Sequence, residues 1–364
     1  MDCPQTEILE QPGLFERLKN SGKRIPLSGS LEVTFRCNLR CVHCYLGDNR
    51  SGVPGEQELT KEEIFGILDQ VTEAGTLWFL LTGGEPFIRP DFMEIYRYAA
   101  HKGLLVTIFT NGTLLTPQIA DELAELPPQL VEITLYGATK ETYERVTGIP
   151  GSYERCMRGI DLLLERGIPL KLKTIVMRWN VHEFEAIKAF AESKGVGFRY
   201  DAALVGAMNG GQGPFSLRLE PEEVVALERT NIELQDELRA MLDRVRGQTV
   251  KQALYKCGAA QNTFHIDPYG QLSPCILSRS QFYSLLSGTF SDGWGEFLLH
   301  VTSKPAKEKE RCDRCDLLIL CGQCPGKSFL EDGNVENPID YYCQIGHLRA
   351  TMLDNRISSF LEDT

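Results

Sequence analysis

The sequence predicts an α/β protein whose core is a partial barrel of six strand–helix units, followed by a cysteine-rich C-terminal extension. Three observations predict this fold. Short apolar runs rich in β-branched and aromatic residues recur between residues 31 and 204. Amphipathic helical patterns separate them, and near-continuous apolar strands with helical crossovers are typical of a parallel sheet. After about residue 250 this periodicity fades, and cysteine, glycine and proline become frequent.

The strands and helices alternate along the chain, and six units are fewer than the eight that close a TIM barrel. We therefore expect an open, TIM-like (β/α)6 barrel. The predicted strands lie at residues 31–35, 77–82, 104–110, 130–136, 170–177 and 197–204. The helical patterns lie near residues 60–74, 90–102, 117–125, 139–147, 152–166 and 182–194.

A Gly-rich loop follows the last predicted strand, and a charged helical pattern with Pro221 in its first turn comes next. The cysteine-dense remainder is expected to draw its stability from metal centres rather than from an apolar core. We divide the chain into an N-terminal extension (1–27), a core barrel (28–215), a linker helix (216–250) and a cysteine-rich domain (251–364).

Composition narrows the classes of partner. The 364 residues are 42% apolar, which is enough for a large core, and the formal net charge is −12 at pH 7. Such an acidic surface repels phosphate backbones, so we expect no nucleic-acid partner. No apolar run approaches the roughly 20 residues of a membrane span. The start, MDCPQTEILEQPG, lacks the basic and apolar regions of a signal peptide, so we expect a cytoplasmic protein without a membrane partner.

Ten of the twelve cysteines fall into short-spaced groups. Grouped thiols in a long chain without a signal peptide indicate metal or cluster ligation rather than a disulfide framework. Two cysteines stand apart. Cys3 lies in the terminal segment, and Cys156 lies in a helical pattern, where it is expected to be a small buried residue.

The first group, Cys37, Cys41 and Cys44, directly follows the first predicted strand with the spacing C-x3-C-x2-C. In parallel α/β folds the functional site lies at the carboxyl ends of the strands. A structural zinc ion takes four protein ligands. Three cysteines without a nearby fourth fit a [4Fe–4S] cluster with one open iron, and a zinc or structural site is the alternative.

Other polar motifs follow the next strands in order. TGGEP (82–86) follows strand two, TNG (110–112) strand three, and ITLYG (133–137) ends strand four. Paired glycines let the backbone approach a ligand closely, and Glu85 is expected at the rim of the site, where its carboxylate could pair with an ammonium group. Each motif alone is also an ordinary turn, but one at each strand end indicates a single site.

With these motifs, residues 28–205 resemble the radical S-adenosylmethionine (SAM) enzyme superfamily. The resemblance implies that Cys37, Cys41 and Cys44 ligate a [4Fe–4S] cluster and that SAM chelates the open iron. It also implies reductive cleavage of SAM to a 5′-deoxyadenosyl radical, which abstracts a hydrogen atom from the substrate. The cluster and SAM would carry this chemistry, while the protein orients them and excludes water. No catalytic side chain is assigned.

The resemblance also implies SAM contacts. Gly84 and Glu85 would meet the amino group, and His43 would pack by the adenine. Arg145 corresponds, with a one-residue shift in the alignment, to an arginine that commonly meets the SAM carboxylate. Many relatives read S-L-D-G at strand four, whereas Tyr136 here replaces the acid, which weakens substrate or ribose contacts carried over from them. The residues assigned to SAM are His43, Gly83, Gly84, Glu85, Asn111, Thr134 (in the place of a common serine) and Arg145.

The later cysteines, with Gly270 five residues before Cys275, resemble the SPASM extension of that superfamily, although two zinc ribbons are the alternative. The resemblance implies two auxiliary [4Fe–4S] clusters. The nearer one would be held by Cys257, Cys275 and Cys324, and the outer one by Cys312, Cys315, Cys321 and Cys343.

This chain departs from the SPASM pattern in two ways. Two residues, rather than the usual three, separate Cys321 from Cys324, and an eighth cysteine is absent where Gln261, Asn262 and Thr263 stand. The nearer cluster then needs a fourth ligand. Asp267, His265, solvent and the substrate are the candidates. The auxiliary clusters are expected to accept the electron of an oxidised substrate radical or to pass electrons inward.

The predicted reaction is the modification of a ribosomal precursor peptide, through a thioether or C–C cross-link or an oxidation. Because only about 30 residues precede strand one, we expect the peptide to be bound by a separate small recognition protein or by the barrel itself. A flavodoxin or ferredoxin would donate electrons. Cofactor or small-molecule biosynthesis is the main alternative. Sulfatase maturation ranks lower, because Ile276 stands where those enzymes carry an acid, and a non-catalytic electron carrier ranks lowest. Arg199 and Asp201 alternate with apolar residues, so they would either bind substrate or form an ion pair.

Overall fold

The computed structural model describes residues 24–245, 254–255, 257–305, 315 and 317–362. Within them, nine strands form one sheet in the order β6-β5-β4-β3-β2-β1-β7-β8-β9. Strands β1 to β7 pair in parallel, whereas β8 and β9 pair antiparallel at one edge. The barrel is therefore open, as predicted. The strands are Ser28–Glu32, Trp78–Thr82, Leu105–Thr110, Leu130–Thr134, Leu170–Ile175, Gly197–Asp201, Thr263–Ile266, Gln271–Ser273 and Tyr283–Ser284.

Helices connect the first six strands, as the alternating pattern predicts. In chain order, α1 to α6 are Lys61–Glu73, Phe92–His101, Pro117–Glu125, Lys140–Thr147, Ser152–Glu165 and Phe184–Ser193. Those that follow, α7 to α13, are Pro221–Glu228, Ile232–Val245, Phe290–Asp292, Leu299–Thr302, Leu318–Cys321, Pro325–Asp332 and Asp340–Glu362, with a π-helical segment at Gly293–Leu298. None of the helices in the described part of the chain is long and apolar enough to cross a bilayer.

The C-terminal region belongs to the same sheet as the barrel, which the sequence did not predict. Strand β7 pairs with β1 in parallel, with Ser28 opposite Thr263 and Leu31 opposite Ile266. The proposed boundary near residue 250 marks a change in the sequence pattern. The sheet continues across it, because strands from both sides belong to the same sheet. A four-residue strand among cysteines and glycines carries too little periodicity to be recognised.

The predicted linker helix is two helices. Helix α7 ends at Glu228, and the Asn231 side-chain oxygen accepts a hydrogen bond from the Leu234 backbone N–H at the start of α8. An asparagine in this position caps a new helix rather than continuing the old one. Residues 246–250 of the predicted linker, and residues 1–23 of the predicted N-terminal extension, lie outside the described residues.

The main apolar core lies between the outer face of the sheet and helices α1 to α6. It includes Ile64 and Leu68 of α1, Ile95 of α2, Val106 of β3 and Ile160 of α5, all of them buried. Successive residues of a strand point to opposite faces, so alternate residues of the same strands point into the barrel. These inward residues form the candidate site.

A second apolar core joins the C-terminal helices to the sheet edge and includes Phe184, Leu219 and Tyr342. Beside it, Arg349 of α13 makes two hydrogen bonds to the Glu228 carboxylate, Nε to Oε2 at 2.8 Å and Nη2 to Oε1 at 2.5 Å. The Glu228 side chain is only 6% exposed. This paired contact ties α13 to α7.

Replacing Arg349 by Met should lower the free energy of unfolding by about 3 kcal/mol, because it leaves the Glu228 carboxylate buried without its cation. Urea unfolding followed by circular dichroism measures the loss. The control is Lys140→Met, which removes an exposed pair with Glu154 and should leave the free energy of unfolding nearly unchanged. Equal losses in the two variants would contradict a stabilising tie at Arg349.

Candidate active site

One cavity of about 520 Å³ runs through the barrel interior to the carboxyl ends of the strands. Its walls include residues of the first six strands, of β7 and of the cysteine-rich region. Two cysteine triads face it: Cys37, Cys41 and Cys44 after β1, and Cys257, Cys275 and Cys324 from the C-terminal region. Residues more than 200 positions apart therefore share one space.

Backbone hydrogen bonds and two arginines shape the first cysteine loop. The Cys37 N–H donates to the Arg50 carbonyl, and the Cys44 N–H donates to the Cys41 carbonyl. Arg40 Nη1 donates to the Cys37 carbonyl at 2.9 Å, and Arg50 Nη1 donates to the Cys41 carbonyl at 3.2 Å. The arginines both fix the loop and place positive charge near the thiols. Arg50 also lines the cavity.

The three thiols of this loop resist ionisation in the protein alone. Burial raises the pKa of Cys37 to about 12, and the charges of Glu85 and Cys44 add to the effect. Burial likewise raises the pKa of Cys41 and of Cys44. Thiols of this kind ionise together around a metal centre, which deprotonates them outright. As a donor set, three clustered cysteines fit an iron–sulfur cluster.

The two glycines of the TGGEP motif make room for the cysteine loop itself, rather than only for a ligand. A Cβ on Gly83 would lie 2.2 Å from the Thr34 carbonyl oxygen, and one on Gly84 would lie 2.4 Å from that of Arg36. The Gly84 N–H donates to the Thr34 carbonyl, and the Glu85 N–H donates to the Arg36 carbonyl. Both glycines also line the cavity. The turn after β2 therefore fixes the start of the cysteine loop.

Glu85 is fully buried, so the expectation that it lies at the rim was wrong. Its carboxylate accepts hydrogen bonds from the Thr110 hydroxyl at 2.7 Å, the Asn111 N–H at 2.7 Å and the Phe87 N–H at 3.2 Å. Burial raises the pKa of Glu85 to about 7, although these donors act in the opposite direction. The side chain ties the turn after β2 to the turn after β3.

Asn111, Thr134 and His43 all line the cavity, as the sequence predicts for neighbours of one site. Asn111 Nδ2 donates to the Asn38 side chain at 2.9 Å and lies 3.9 Å from Cys37 Sγ. The His43 ring meets the Tyr136 ring edge-on, with centroids 4.9 Å apart. Among the described residues that line the cavity, buried polar atoms without a hydrogen-bond partner include His43 Nδ1, Thr107 Oγ1 and Thr174 Oγ1. Such atoms fit a polar ligand.

Arg145 lies outside the cavity, contrary to the alignment with a SAM-binding arginine. It is exposed on α4, and its guanidinium lies over the Trp179 ring at 4.2 Å. Helix periodicity explains the position, because α4 buries Thr142, Tyr143 and Val146, and residue 145 falls off that face. Arg50 is the arginine beside the cysteine loop that lines the cavity, and no motif in the sequence marked it.

The nearer auxiliary triad comes together as the resemblance grouped it. Cys257, Cys275 and Cys324 lie on three separate segments, and each lines the cavity. Burial, followed by the charges of Cys324 and Cys257, raises the pKa of Cys275 to about 12. The Lys327 N–H of α12 donates to Cys324 Sγ at 3.4 Å. The three thiols are thus electrostatic neighbours.

The predicted outer group is described in part. Cys321 ends α11, and Gly346 of α13 packs against it so closely that a Cβ on Gly346 would lie 2.9 Å from Cys321 Cβ. Cys343 lies one helical turn before Gly346, so it is on the same side of α13. Cys312 lies outside the described residues. Within those residues, no three His, Cys, Asp or Glu side chains form a group that could hold a single metal ion.

His265 and Asp267, the candidate fourth ligands, are engaged elsewhere. His265 is fully buried, with Nε2 on Glu32 at 3.2 Å and Nδ1 on the Ser30 hydroxyl at 2.8 Å. Asp267 Oδ1 accepts from the Tyr269 and Gln271 N–H groups and shapes the turn between β7 and β8. Neither residue lines the cavity, so the expectation that one of them completes the nearer cluster finds no support in this geometry.

Arg199 and Asp201 line the cavity, and Arg199 forms an ion pair with Glu132 of β4. The ion-pair expectation therefore holds for Arg199, and substrate binding by this strand stays a prediction. Arg199 binds the buried Glu132 carboxylate through Nε at 2.7 Å and Nη2 at 2.5 Å. Lys173 Nζ reaches the same carboxylate at 2.9 Å and lies 3.6 Å from the centre of the Phe109 ring. Lys173 was not among the predicted site residues, although the alternating lysines of LKLKTIVM (170–177) place it on one face of the strand.

The barrel of this chain matches a known protein family. Residues 31–191 match the Radical SAM superfamily. The greater part of the barrel is therefore a Radical SAM domain. The chain is 28% identical to the AdoMet-dependent heme synthase of Methanosarcina barkeri, over 83% of this chain and 92% of that protein. It is 27% identical to the mycofactocin maturase MftC of Mycobacterium tuberculosis, over 98% of this chain and 90% of that protein.

Likeness of fold extends through the cysteine-rich region. The crystal structure of Streptococcus suis SuiB bound to precursor peptide SuiA superposes with a TM-score of 0.70, at 17% identity, over 91% of this chain and 78% of SuiB. The Radical SAM match and the relatives named synthase and maturase together show an enzyme of the radical SAM type, and the C-terminal region has the SPASM-type fold. Membership implies a [4Fe–4S] cluster and SAM, which removes the zinc alternative for the first triad and the non-catalytic electron carrier.

Replacing Gly84 by Ala should lower the free energy of unfolding by about 3 kcal/mol, because the added methyl group meets two backbone carbonyls. It should also displace the cysteine loop and reduce iron incorporation on anaerobic reconstitution. Urea unfolding and iron analysis measure the two effects. Gly66→Ala is the control, since a Cβ there meets nothing within 4 Å, and Ala suits the interior of α1. A Gly84→Ala protein with full iron would contradict the account.

Proposed function

We propose that this radical SAM enzyme oxidises a substrate that it holds between two iron–sulfur sites. A single observation carries the proposal: both cysteine triads line the same cavity. A substrate placed there lies within reach of a hydrogen-abstracting centre on one side and an electron acceptor on the other. The triads are Cys37, Cys41 and Cys44, and Cys257, Cys275 and Cys324.

When bound, the first cluster with SAM supplies a radical that removes a hydrogen atom from the substrate, and the auxiliary clusters supply an acceptor for the electron left behind. Overall the substrate would give up a hydrogen atom, an electron and a proton, which is a two-electron oxidation that forms one new bond. The chain's own part is to orient the C–H bond and exclude water. The apolar part of the cavity wall, which would exclude water, includes Phe109, Leu80 and Ile276.

The proposed SAM site lies around the first triad. The backbone at Gly83 and Gly84 would meet the amino group, and the partnerless His43 Nδ1 would take a hydrogen bond beside the adenine. Arg50 takes the place that the alignment gave to Arg145, opposite the SAM carboxylate. Glu85 would act indirectly, by holding the turn. The remaining proposed contacts, supported by their position on the cavity wall, are Asn111 and Thr134.

We propose two auxiliary [4Fe–4S] clusters, the nearer on Cys257, Cys275 and Cys324. The packing of Gly346 against Cys321 supports a shared outer site for Cys321 and Cys343. The full proposed outer set is Cys312, Cys315, Cys321 and Cys343. The fourth ligand of the nearer cluster would be solvent or substrate, since His265 and Asp267 are engaged elsewhere.

A ribosomal precursor peptide is the first candidate substrate. The relative named mycofactocin maturase aligns with 98% of this chain, and SuiB, which shares the fold, was crystallised with a precursor peptide. A small recognition protein would present the peptide, and a flavodoxin or ferredoxin would supply the low-potential electron. Sulfatase maturation fits less well, because Ile276 occupies the cavity wall next to Cys275.

An iron porphyrin is the second candidate, favoured by a specific observation. Three relatives named AdoMet-dependent heme synthase are 27–28% identical over 83–85% of this chain. This candidate corresponds to cofactor biosynthesis. Both candidates use the same two sites, so they differ in the substrate held and not in the proposed electron path.

Replacing Cys275 by Ser should remove about four of about twelve iron atoms per chain. The variant should still cleave SAM but lose substrate oxidation, because the proposed acceptor is gone. Iron and sulfide analysis and quantification of 5′-deoxyadenosine check this. Cys156→Ala is the control, since Cys156 is buried in α5 and does not line the cavity, so this variant should keep all its iron. Normal substrate turnover in Cys275→Ser would refute the proposed electron path.

The peptide proposal predicts that a peptide encoded beside this gene stimulates 5′-deoxyadenosine formation by reconstituted, reduced enzyme at least about tenfold and changes in mass. An iron porphyrin should leave the rate at its basal level. Mass spectrometry of both substrates, with heat-inactivated enzyme as the control, decides the matter. Stimulation and mass change with the porphyrin alone would establish the second candidate instead.

A further inference from the structure

One fully buried carboxylate joins the two cysteine regions. Glu32, the last residue of β1, accepts hydrogen bonds from the Tyr45 hydroxyl, from Arg279 Nη1 at 2.6 Å and from His265 Nε2 at 3.2 Å. Both Glu32 and His265 are completely inaccessible to solvent. The three donors come from three different segments, so Glu32 is the point where they meet.

Two of the donors stand next to the proposed metal sites. Tyr45 directly follows Cys44 in the first cysteine loop. Arg279 lies four residues after Cys275, and its Nε donates to the Ile276 carbonyl at 2.6 Å. The guanidinium also lies 5.7 Å from the centre of the Phe35 ring and 6.0 Å from that of Tyr45. Arg279 therefore binds the loop of the second triad to the loop of the first.

The third donor fixes this junction to the sheet. His265 belongs to β7, and its Nδ1 shares a hydrogen bond with the Ser30 hydroxyl of β1 at 2.8 Å. Ser30 pairs with His265 in the register of the two strands. Glu32 is thus held by the only parallel strand pair that joins the barrel to the C-terminal region among the described residues.

A buried ion pair of this kind gains little net stability over an apolar pair of the same shape, because both charges lose their hydration. Its strength depends on geometry, since charge-assisted hydrogen bonds are directional. The charged network is therefore better suited to fix one arrangement of the loops than to increase stability. Misplacement of a reacting group by about 1 Å can cost about a hundredfold in rate, so a fixed arrangement matters for catalysis.

We infer that Glu32 is a positioning residue that sets the relative placement of the Cys44 loop and the Cys275 loop. The inference rests on the proposed function, in which a substrate lies between the sites on these loops. Among the described residues no hydrogen bond joins Glu32 to a cysteine of either triad, and Glu32 acts through Tyr45 and Arg279. The geometry assigns to this carboxylate the coupling of the barrel to the cysteine-rich region.

The test separates positioning from simple charge balance with two variants of the reconstituted holoenzyme. Glu32→Gln leaves the Arg279 guanidinium buried without its counter-charge and should be clearly less stable. The double variant Glu32→Gln/Arg279→Met removes both charges and should recover most of the stability. The restored stability should not restore the placement of the loops. In the double variant, the electron paramagnetic resonance spectrum of the reduced clusters should lack the wild-type spin–spin interaction between the cluster of the first triad and the nearer auxiliary cluster.

Hydrogen exchange locates the effect without relying on the auxiliary iron. In the double variant, amides of residues 41–48 and 275–279 should exchange at least about tenfold faster, while β3 and β4 stay unchanged. The matched control is Glu132→Gln/Lys173→Met/Arg199→Met, which removes the buried carboxylate of β4 together with both of its cations and should leave both loops protected. A double variant with the wild-type spectrum and wild-type protection of both loops would overturn the inference.

The proposed function can fail separately. Wild-type protein with only about four iron atoms per chain would refute the auxiliary clusters. The exchange rates of the two loops would then decide alone: joint loss of protection in the double variant supports the positioning role, and loss in one loop or neither overturns it.

Discussion

The parallel pairing of β1 with β2 on one side and with β7 on the other is the constraint on which the rest of the structure depends. Parallel strands end at the same edge of a sheet. The loop with Cys37 leaves β1 at that edge, and the TGGEP turn leaves β2 there. Strand β7 pairs with β1 on its other side, and β8 runs back antiparallel to β7, so the segment with Cys275 leaves β8 toward the amino ends of the parallel strands. The central strand thereby collects both cysteine regions around one space, although more than 200 residues separate them in sequence.

The buried carboxylates on the inner side of the barrel are bound by hydrogen-bond donors of the protein itself. The thiols are the groups left to bind cofactors. Glu32 and Glu132 each lie on the inner face of the barrel and each binds an arginine. Glu85 is satisfied by three donors from neighbouring turns. Buried charges satisfied in this way resist rearrangement. The cysteines and a few partnerless polar atoms remain to meet cofactors and substrate.

The sequence predicted what local patterns determine. The six apolar strands and their helices carry strong periodicity, and the spacing at Cys37, Cys41 and Cys44 has few alternative meanings. The predictions from the sequence were wrong where the position of a side chain depends on tertiary contacts. Strand β7 is too short to show a period. Arg145 matched by alignment but falls off the buried face of α4. Glu85 was expected at the rim because the sequence does not show that Thr110 and Asn111 donate hydrogen bonds to its carboxylate.

Diffraction from anaerobically grown crystals of the reconstituted enzyme, recorded at the iron and zinc absorption edges, tests the central claim most directly. The account predicts iron at both triads, with the Cys37, Cys41 and Cys44 cluster and the Cys257, Cys275 and Cys324 cluster facing one another across the cavity. Iron at the first triad alone, or zinc bound by the C-terminal cysteines, would contradict it.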